Sequence, residues 1–244
     1  MFSMQLVKNE YFKLKRLKIV YAVLVISFVP FIFNTIGMMM STNMSAWNYY
    51  FYVFNQYATL FPSIVFIFSG AFFNNEFKNQ TMLNWLSYPQ NNFRLIFSKI
   101  VAIMTLLLFT SLVNHLIHII TLYTLFNNEV IISEALRMFM SLMLYSLLVI
   151  LTVPISALII ILTKSFLSVV LIGVGSIFIT TIILGAEISL YFPFTFAWRM
   201  GMQVYEPSMG YEDTGLHLLG LMMMVLYLAI SLGGLSLYSR KLRV

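Results

Sequence analysis

The sequence predicts an all-α integral membrane protein with six transmembrane helices. Two observations carry that prediction. Charged residues make up 9% of the chain and hydrophobic residues 61%, whereas soluble domains run at about 25% charged. The few charges are also sorted, because residues 19–75, 100–128, 138–163, 165–186 and 214–239 contain no Asp, Glu, Lys or Arg. A helix needs about 20 apolar residues to cross a hydrocarbon core about 30 Å thick. Each stretch is therefore long enough for one span, and the first is long enough for two.

The first 18 residues are basic and polar. Met4, Val7, Tyr11 and Leu14 recur at helical spacing, with Leu6 and Leu17 alongside and Lys8, Lys15 and Arg16 elsewhere around the wheel. This pattern predicts an amphipathic helix over 1–18 lying in the membrane interface. No small-residue cleavage site follows the first apolar run, so no cleavable signal peptide is expected. The spans then follow as Ile19–Met40, Gln56–Asn74, Ile100–Phe126, Ala135–Leu162, Leu167–Ala186 and Thr214–Tyr238. Ser41–Asn48 is polar enough to turn the chain between the first two. Trp47, Tyr49, Tyr50 and Tyr52 resemble an interfacial aromatic belt.

Six spans place both termini on one side, together with loops 75–99 and 163–166. That side carries Lys8, Lys13, Lys15, Arg16, Lys18, Lys78, Arg94, Lys99, Lys164, Arg240, Lys241 and Arg243, which is 12 of the 14 basic residues. The other side has only Arg137 and Arg199, with Glu129, Glu134, Glu187, Glu206, Glu212 and Asp213. By the positive-inside rule the termini are cytoplasmic. The net charge of +6 is thus a membrane-topology signal, and no nucleic-acid partner is expected. The absence of cysteine excludes disulfides, thiol catalysis and zinc–thiolate sites.

Three groups of residues invite functional readings. A helix could run from about Asn79 to Ser87, ended by Pro89, and would show Met82, Leu83, Trp85 and Leu86 to a docking partner or to lipid headgroups. Asn114, His115 and His118 fall near the middle of the third span, with the two histidines at i, i+3 on one face. A substrate path, a subunit interface and plain packing are all open for them. No acid or further histidine at that depth completes a metal site, and none is expected. On the other side, the 187–213 loop is apolar over Tyr191–Trp198, which predicts a re-entrant or interfacial element. Glu187 and Arg199 could brace it as a pair, and Arg137 could pair with Glu134 at i−3.

Glu76, Thr81, Leu83, Leu86, Pro89 and Lys99 together resemble the loop after the second span of the type-2 ABC exporter permease family. That family's pattern is an acid, a Gly-Thr pair, leucines, a proline, an arginine and a lysine. Gln80 stands where the family usually has Gly. Asn92 stands at the usual arginine place, with Arg94 two residues later. The resemblance implies a single permease domain over 1–244 in a bacterial cell membrane. It also implies a coupling helix in which Glu76, Lys78, Thr81, Met82, Leu83, Trp85, Leu86, Pro89 and Arg94 meet a soluble ABC ATPase subunit. The chain lacks a G-x-x-x-x-G-K-[ST] phosphate loop, so it is expected to be no enzyme and to hold no cofactor. ATP and Mg2+ would bind the partner, and a second permease, a copy or a related chain, would complete the translocase. Small permeases of this plan resemble lantibiotic-immunity, bacitracin-efflux and toxic-peptide exporters, which implies an amphipathic peptide substrate. The alternatives from other classes are an ATP-independent carrier or channel and an intramembrane enzyme.

Overall fold

The computed structural model describes residues 4–41, 44–78 and 91–241. They form helices α1 (Met4–Leu14), α2 (Lys18–Met40), α3 (Ala46–Lys78), α4 (Asn92–Leu125), α5 (Ile132–Ile150), α6 (Val153–Thr163), α7 (Phe166–Ile183), α8 (Pro193–Tyr205) and α9 (Thr214–Lys241), with short 3-10 turns at Glu187–Tyr191 and Pro207–Met209. No strand occurs among the described residues. Six elements are long and apolar enough to cross a membrane: α2, α3, α4, α5 with α6, α7 and α9. Helices are the expected solution, because an α-helix satisfies its own backbone groups where no water can.

Helix α3 is the hub. Of its apolar stretch 72% is buried inside the protein, against 17% for α2 and 22% each for α7 and α9, which therefore present most of their surface outward. Two local devices make a central α3 possible. Pro62 lies inside the helix and can give no N–H to the Ala58 carbonyl. The Tyr145 hydroxyl from α5 donates to that carbonyl instead, at 2.7 Å. Close approach to α7 rests on small residues. A Cβ on Gly173 would lie 2.9 Å from Phe66 Cβ, and one on Gly70 2.8 Å from Val169 Cγ1. The Ser63 hydroxyl donates to the Gly173 carbonyl at 2.7 Å across the same contact.

The fourth span is broken once. Helix α5 stops after Ile150 and α6 resumes at Val153, with Pro154 in its first turn. The missing proline N–H and ring crowding interrupt the ladder there. Thr152 at the break donates both its N–H and its hydroxyl to the Val149 carbonyl, at 3.0 and 2.7 Å.

Two expectations are corrected. The second span begins at Ala46, ten residues before Gln56, so Tyr49 and Tyr50 belong to the helix and are fully buried rather than forming an interfacial belt. Their hydroxyls are partnered by Thr35 Oγ1 at 2.6 Å and the Met138 carbonyl at 3.4 Å. Tyr52 is exposed as expected. In α1 the buried stripe is Val7, Glu10 and Leu14, while Met4 is exposed and Tyr11 lies at the edge; the Tyr11 hydroxyl reaches Thr105 of α4. The apolar part of 187–213, expected as a re-entrant or interfacial element, folds as α8, which lies along α5 with Phe194, Phe196, Trp198 and Met202 buried. The Ser141 hydroxyl donates to the Gly201 carbonyl at 2.7 Å, a contact that a side chain at 201 would obstruct.

The α3–α7 seam gives a paired test. Gly173→Leu should overpack the seam and lower unfolding stability in detergent by about 1–3 kcal/mol. Gly175→Leu, two residues on where an added Cβ meets nothing within 4 Å, should leave the unfolding midpoint essentially unchanged.

Candidate functional site

At the end of the bundle where α3 finishes and α4 begins, four charges meet. Lys99 in α4 is fully buried. Its Nζ donates to Glu76 Oε1 of α3 at 2.8 Å and lies 3.2 Å from Glu10 Oε2 of α1. Lys13 Nζ donates to Glu10 Oε1 at 2.8 Å and to Glu76 Oε1 at 3.0 Å. The Lys99 ammonium also sits 3.8 Å from the centre of the Phe72 ring, a cation–π position. Two ammonium and two carboxylate groups thus tie three elements together in a nearly dry setting. Only Lys13 is half exposed. Burial acts to lower its pKa, and the hydrogen bonds and charges of Glu10 and Glu76 overcome that, holding the ammonium above its ordinary value.

Lys78 and Arg94 are the bases nearest to Glu76 in the coupling pattern. Both are exposed and make no ion pair among the described residues. Lys99 and Lys13 take Glu76, because they lie on helix faces turned into the bundle. Glu10 and Lys13 were not singled out from sequence. A usable signal existed, since Glu10 and Glu76 are the only two acids on the basic side of the chain. Thr81, Met82, Leu83, Trp85, Leu86 and Pro89, and the helix expected over 79–87, lie outside the described residues. Their described flanks are Lys78, two residues after Glu76, and Asn91, eight residues before Lys99. Asn92 adds a further tie to the last span through Nδ2 to the Ser239 carbonyl at 3.4 Å.

A second polar group lies inside the bundle. Asn114, His115 and His118 are all buried inside the helix bundle of the single chain. Asn114 Nδ2 donates to the Ser27 carbonyl of α2 at 2.9 Å. His115 Nε2 shares a proton with Ser146 Oγ of α5 at 2.7 Å, and Tyr57 of α3 bonds Ser111 of α4 at 3.0 Å. His118 is packed among aromatic rings, 6.2 Å from Tyr50 in a stacked arrangement and 5.4 Å from Tyr49 edge-on. This layer cross-links four spans by hydrogen bonds, which suits buried polar groups in a bundle.

At the opposite end, Arg199 forms no ion pair with Glu187, which is exposed. Its guanidinium donates through Nε and Nη2 to the Leu184 carbonyl at 3.2 and 3.0 Å, and through Nη1 to the Gly210 carbonyl at 3.3 Å. A cation at the C-terminal end of α7 is favoured by the helix dipole and satisfies a carbonyl that the helix leaves free. Tyr211 stacks beneath it at 4.9 Å. Trp198 Nε1 donates to Asn55 Oδ1 of α3 at 2.8 Å, which anchors α8 to the hub. Arg137 and Glu134 likewise do not pair. Glu134 Oε2 instead accepts from the Ile131 backbone N–H and closes the α5 N-terminus.

The cluster makes a graded prediction. Lys99→Met leaves two buried carboxylates with only the half-exposed Lys13 to share and should destabilise the protein by about 3–5 kcal/mol. Lys13→Met removes a half-exposed partner and should cost under about 1 kcal/mol. Unfolding by titrated SDS, read from helical circular dichroism, checks both. Equal effects would contradict the assignment of Lys99 as the central charge.

A family model described as ABC-2 family transporter protein matches residues 6–181, which takes in α1, the charge cluster, the polar layer and the first five spans. No curated protein matches the chain. The match covers well over half of the sequence and agrees with the six-span architecture. The chain belongs to the ABC-2 transporter family, as a multi-pass membrane permease that works with an ABC ATPase subunit.

Proposed function

We propose that this permease serves an ATP-driven exporter that moves an amphipathic peptide out of a bacterial cell or its membrane. Two permeases, identical or related, would pair with two soluble ATPases that bind ATP and Mg2+. The termini and the 75–99 segment would face the cytoplasm, as the bias of 12 in 14 basic residues supports. Helix α1 would lie in the cytoplasmic interface.

The observation that carries this reading is the Glu76–Lys99 pair. Residues 79–90 connect α3 to α4, and the pair joins the two helices just beneath that connection. An ATPase pressing on residues around Thr81, Met82, Leu83, Trp85, Leu86 and Pro89 would therefore not pull the helix ends apart. It would move them as one body. Helix α3 is the hub, so a tilt at its end passes directly to α2, α5 and α7. Closure of the ATPases on ATP would turn a cavity between the two permeases from inward-facing to outward-facing. A peptide substrate is supported by the family resemblance and by a chain with 23 Phe and 17 Met. Such side chains adapt to irregular apolar shapes.

Coupling is tested in proteoliposomes holding the permease with its co-purified ATPase, with bacitracin and a fluorescent lantibiotic as probe cargoes. Trp85→Ala and Glu76→Gln should each lower cargo-stimulated ATP hydrolysis and cargo movement by about tenfold, with membrane insertion intact. Full stimulation in both variants would overturn the coupling role. No response of the wild-type complex to either probe would remove the peptide assignment and leave the ATPase-driven reading in place.

A further inference from the structure

The geometry points to Glu10 as a positioning residue that locks the N-terminal helix to the base of α3 and α4, so that all three move as one unit. This deepens the coupling reading above and rests on it only for the purpose of the lock. Helix α1 is 11 residues long and precedes the first span. On its own it would be held to the bundle by Val7 and Leu14 and by Tyr11 against Thr105. Such an apolar stripe can slide, because lipid offers it equally good contacts. A charge contact cannot slide in the same way. Lys99 is fully buried, and Glu10 and Glu76 are the two carboxylates that meet it among the described residues. Moving α1 by one turn would withdraw Glu10 and leave the Lys99 ammonium against Glu76 alone in an apolar setting, which is strongly disfavoured.

Lys13 makes the lock bidirectional. It lies one turn after Glu10 on the same helix and bridges Glu10 Oε1 to Glu76 Oε1. Helix α1 therefore brings one acid and one base to the same place, and each meets an opposite charge on α3 or α4. The pairing specifies register, since Glu10 is the α1 residue whose carboxylate meets Lys99, while Tyr11 beside it meets Thr105. Glu10 is also the sole acid in residues 1–18, so no neighbouring residue can substitute for it. The unit that results spans α1, the end of α3 and the start of α4, and it lies beneath the segment on which the ATPase is proposed to press.

The chain has no cysteine, so two introduced cysteines carry spin labels without background. Lys8 on α1 and Leu125 at the far end of α4 are both exposed. Leu125 lies 20 residues beyond Thr105, or about 30 Å along the helix, which suits pulsed electron–electron distance measurement. The complex with its co-purified ATPase is measured in lipid nanodiscs, without nucleotide and with ATP plus vanadate. With Glu10 present, the expected result is one narrow distance in each state. Glu10→Gln should lose the single peak, and Glu10→Asp should recover it. Should Glu10→Gln fail to fold, Glu10→Gln with Lys13→Gln removes one charge of each sign and should show the same loss. A single narrow peak retained in either Gln variant overturns the proposal, as does splitting of the wild-type peak on addition of ATP and vanadate. Loss of the peak without any change in ATP hydrolysis upholds the lock and strikes only at its coupling role.

Discussion

One buried charge organises the end of the bundle that carries the chain termini. The Lys99 ammonium has no contact with solvent, and an isolated cation in such a setting is prohibitively costly. Its compensation comes from the only two acids on the basic side of the protein, Glu10 and Glu76. Glu76 sits in the last turn of α3, where the helix dipole disfavours an acid. Its position there is explained by Lys99 and not by the local helix. The requirement to neutralise Lys99 therefore ties α1 and the Glu76 turn of α3 to the first turns of α4.

The hub role of α3 follows from different physics. In a bilayer, helix association gains little from the hydrophobic effect and depends on close packing and hydrogen bonds. Helix α3 satisfies both needs. It meets α7 through Gly70 and Gly173, α5 through Tyr145 at the carbonyl that Pro62 leaves open, and α8 through Asn55 and Trp198. The buried polar layer of Asn114, His115, Ser146 and Tyr57 adds cross-links among α2, α3, α4 and α5. A hub held by many satisfied polar groups is suited to transmit a rigid tilt, and the charge cluster stands at the end where such a tilt would enter.

The spans were legible because lipid imposes one local rule, a sufficient run of uncharged residues, that any window of sequence reveals. The start of the second span was not. Asn48, Asn55, Tyr49 and Tyr50 look too polar for a buried helix. Asn55 and Gln56 find Trp198 and Asn34, and Tyr49 finds Thr35, all distant in sequence. Glu76 and Lys99 were visible as a family pattern, yet their mutual contact was not, because nearer bases such as Lys78 and Arg94 compete on paper. Glu10 was hidden by its place in a basic helix, where a charge reads as facing water. Arg199 was misread toward Glu187 for a related reason: its true acceptors are the carbonyls of Leu184 and Gly210, which carry no sequence signature.

The proposed coupling rests on residues 79–90, which join α3 to α4, receiving the ATPase. A photo-reactive amino acid placed at position 85, activated in native membranes and followed by mass spectrometry, tests this most directly. The expected result is a cross-link to a soluble protein bearing a phosphate-loop motif, strengthened when nucleotide is added. Cross-links confined to phospholipid would contradict the claim and make the Trp85 region a membrane-surface element.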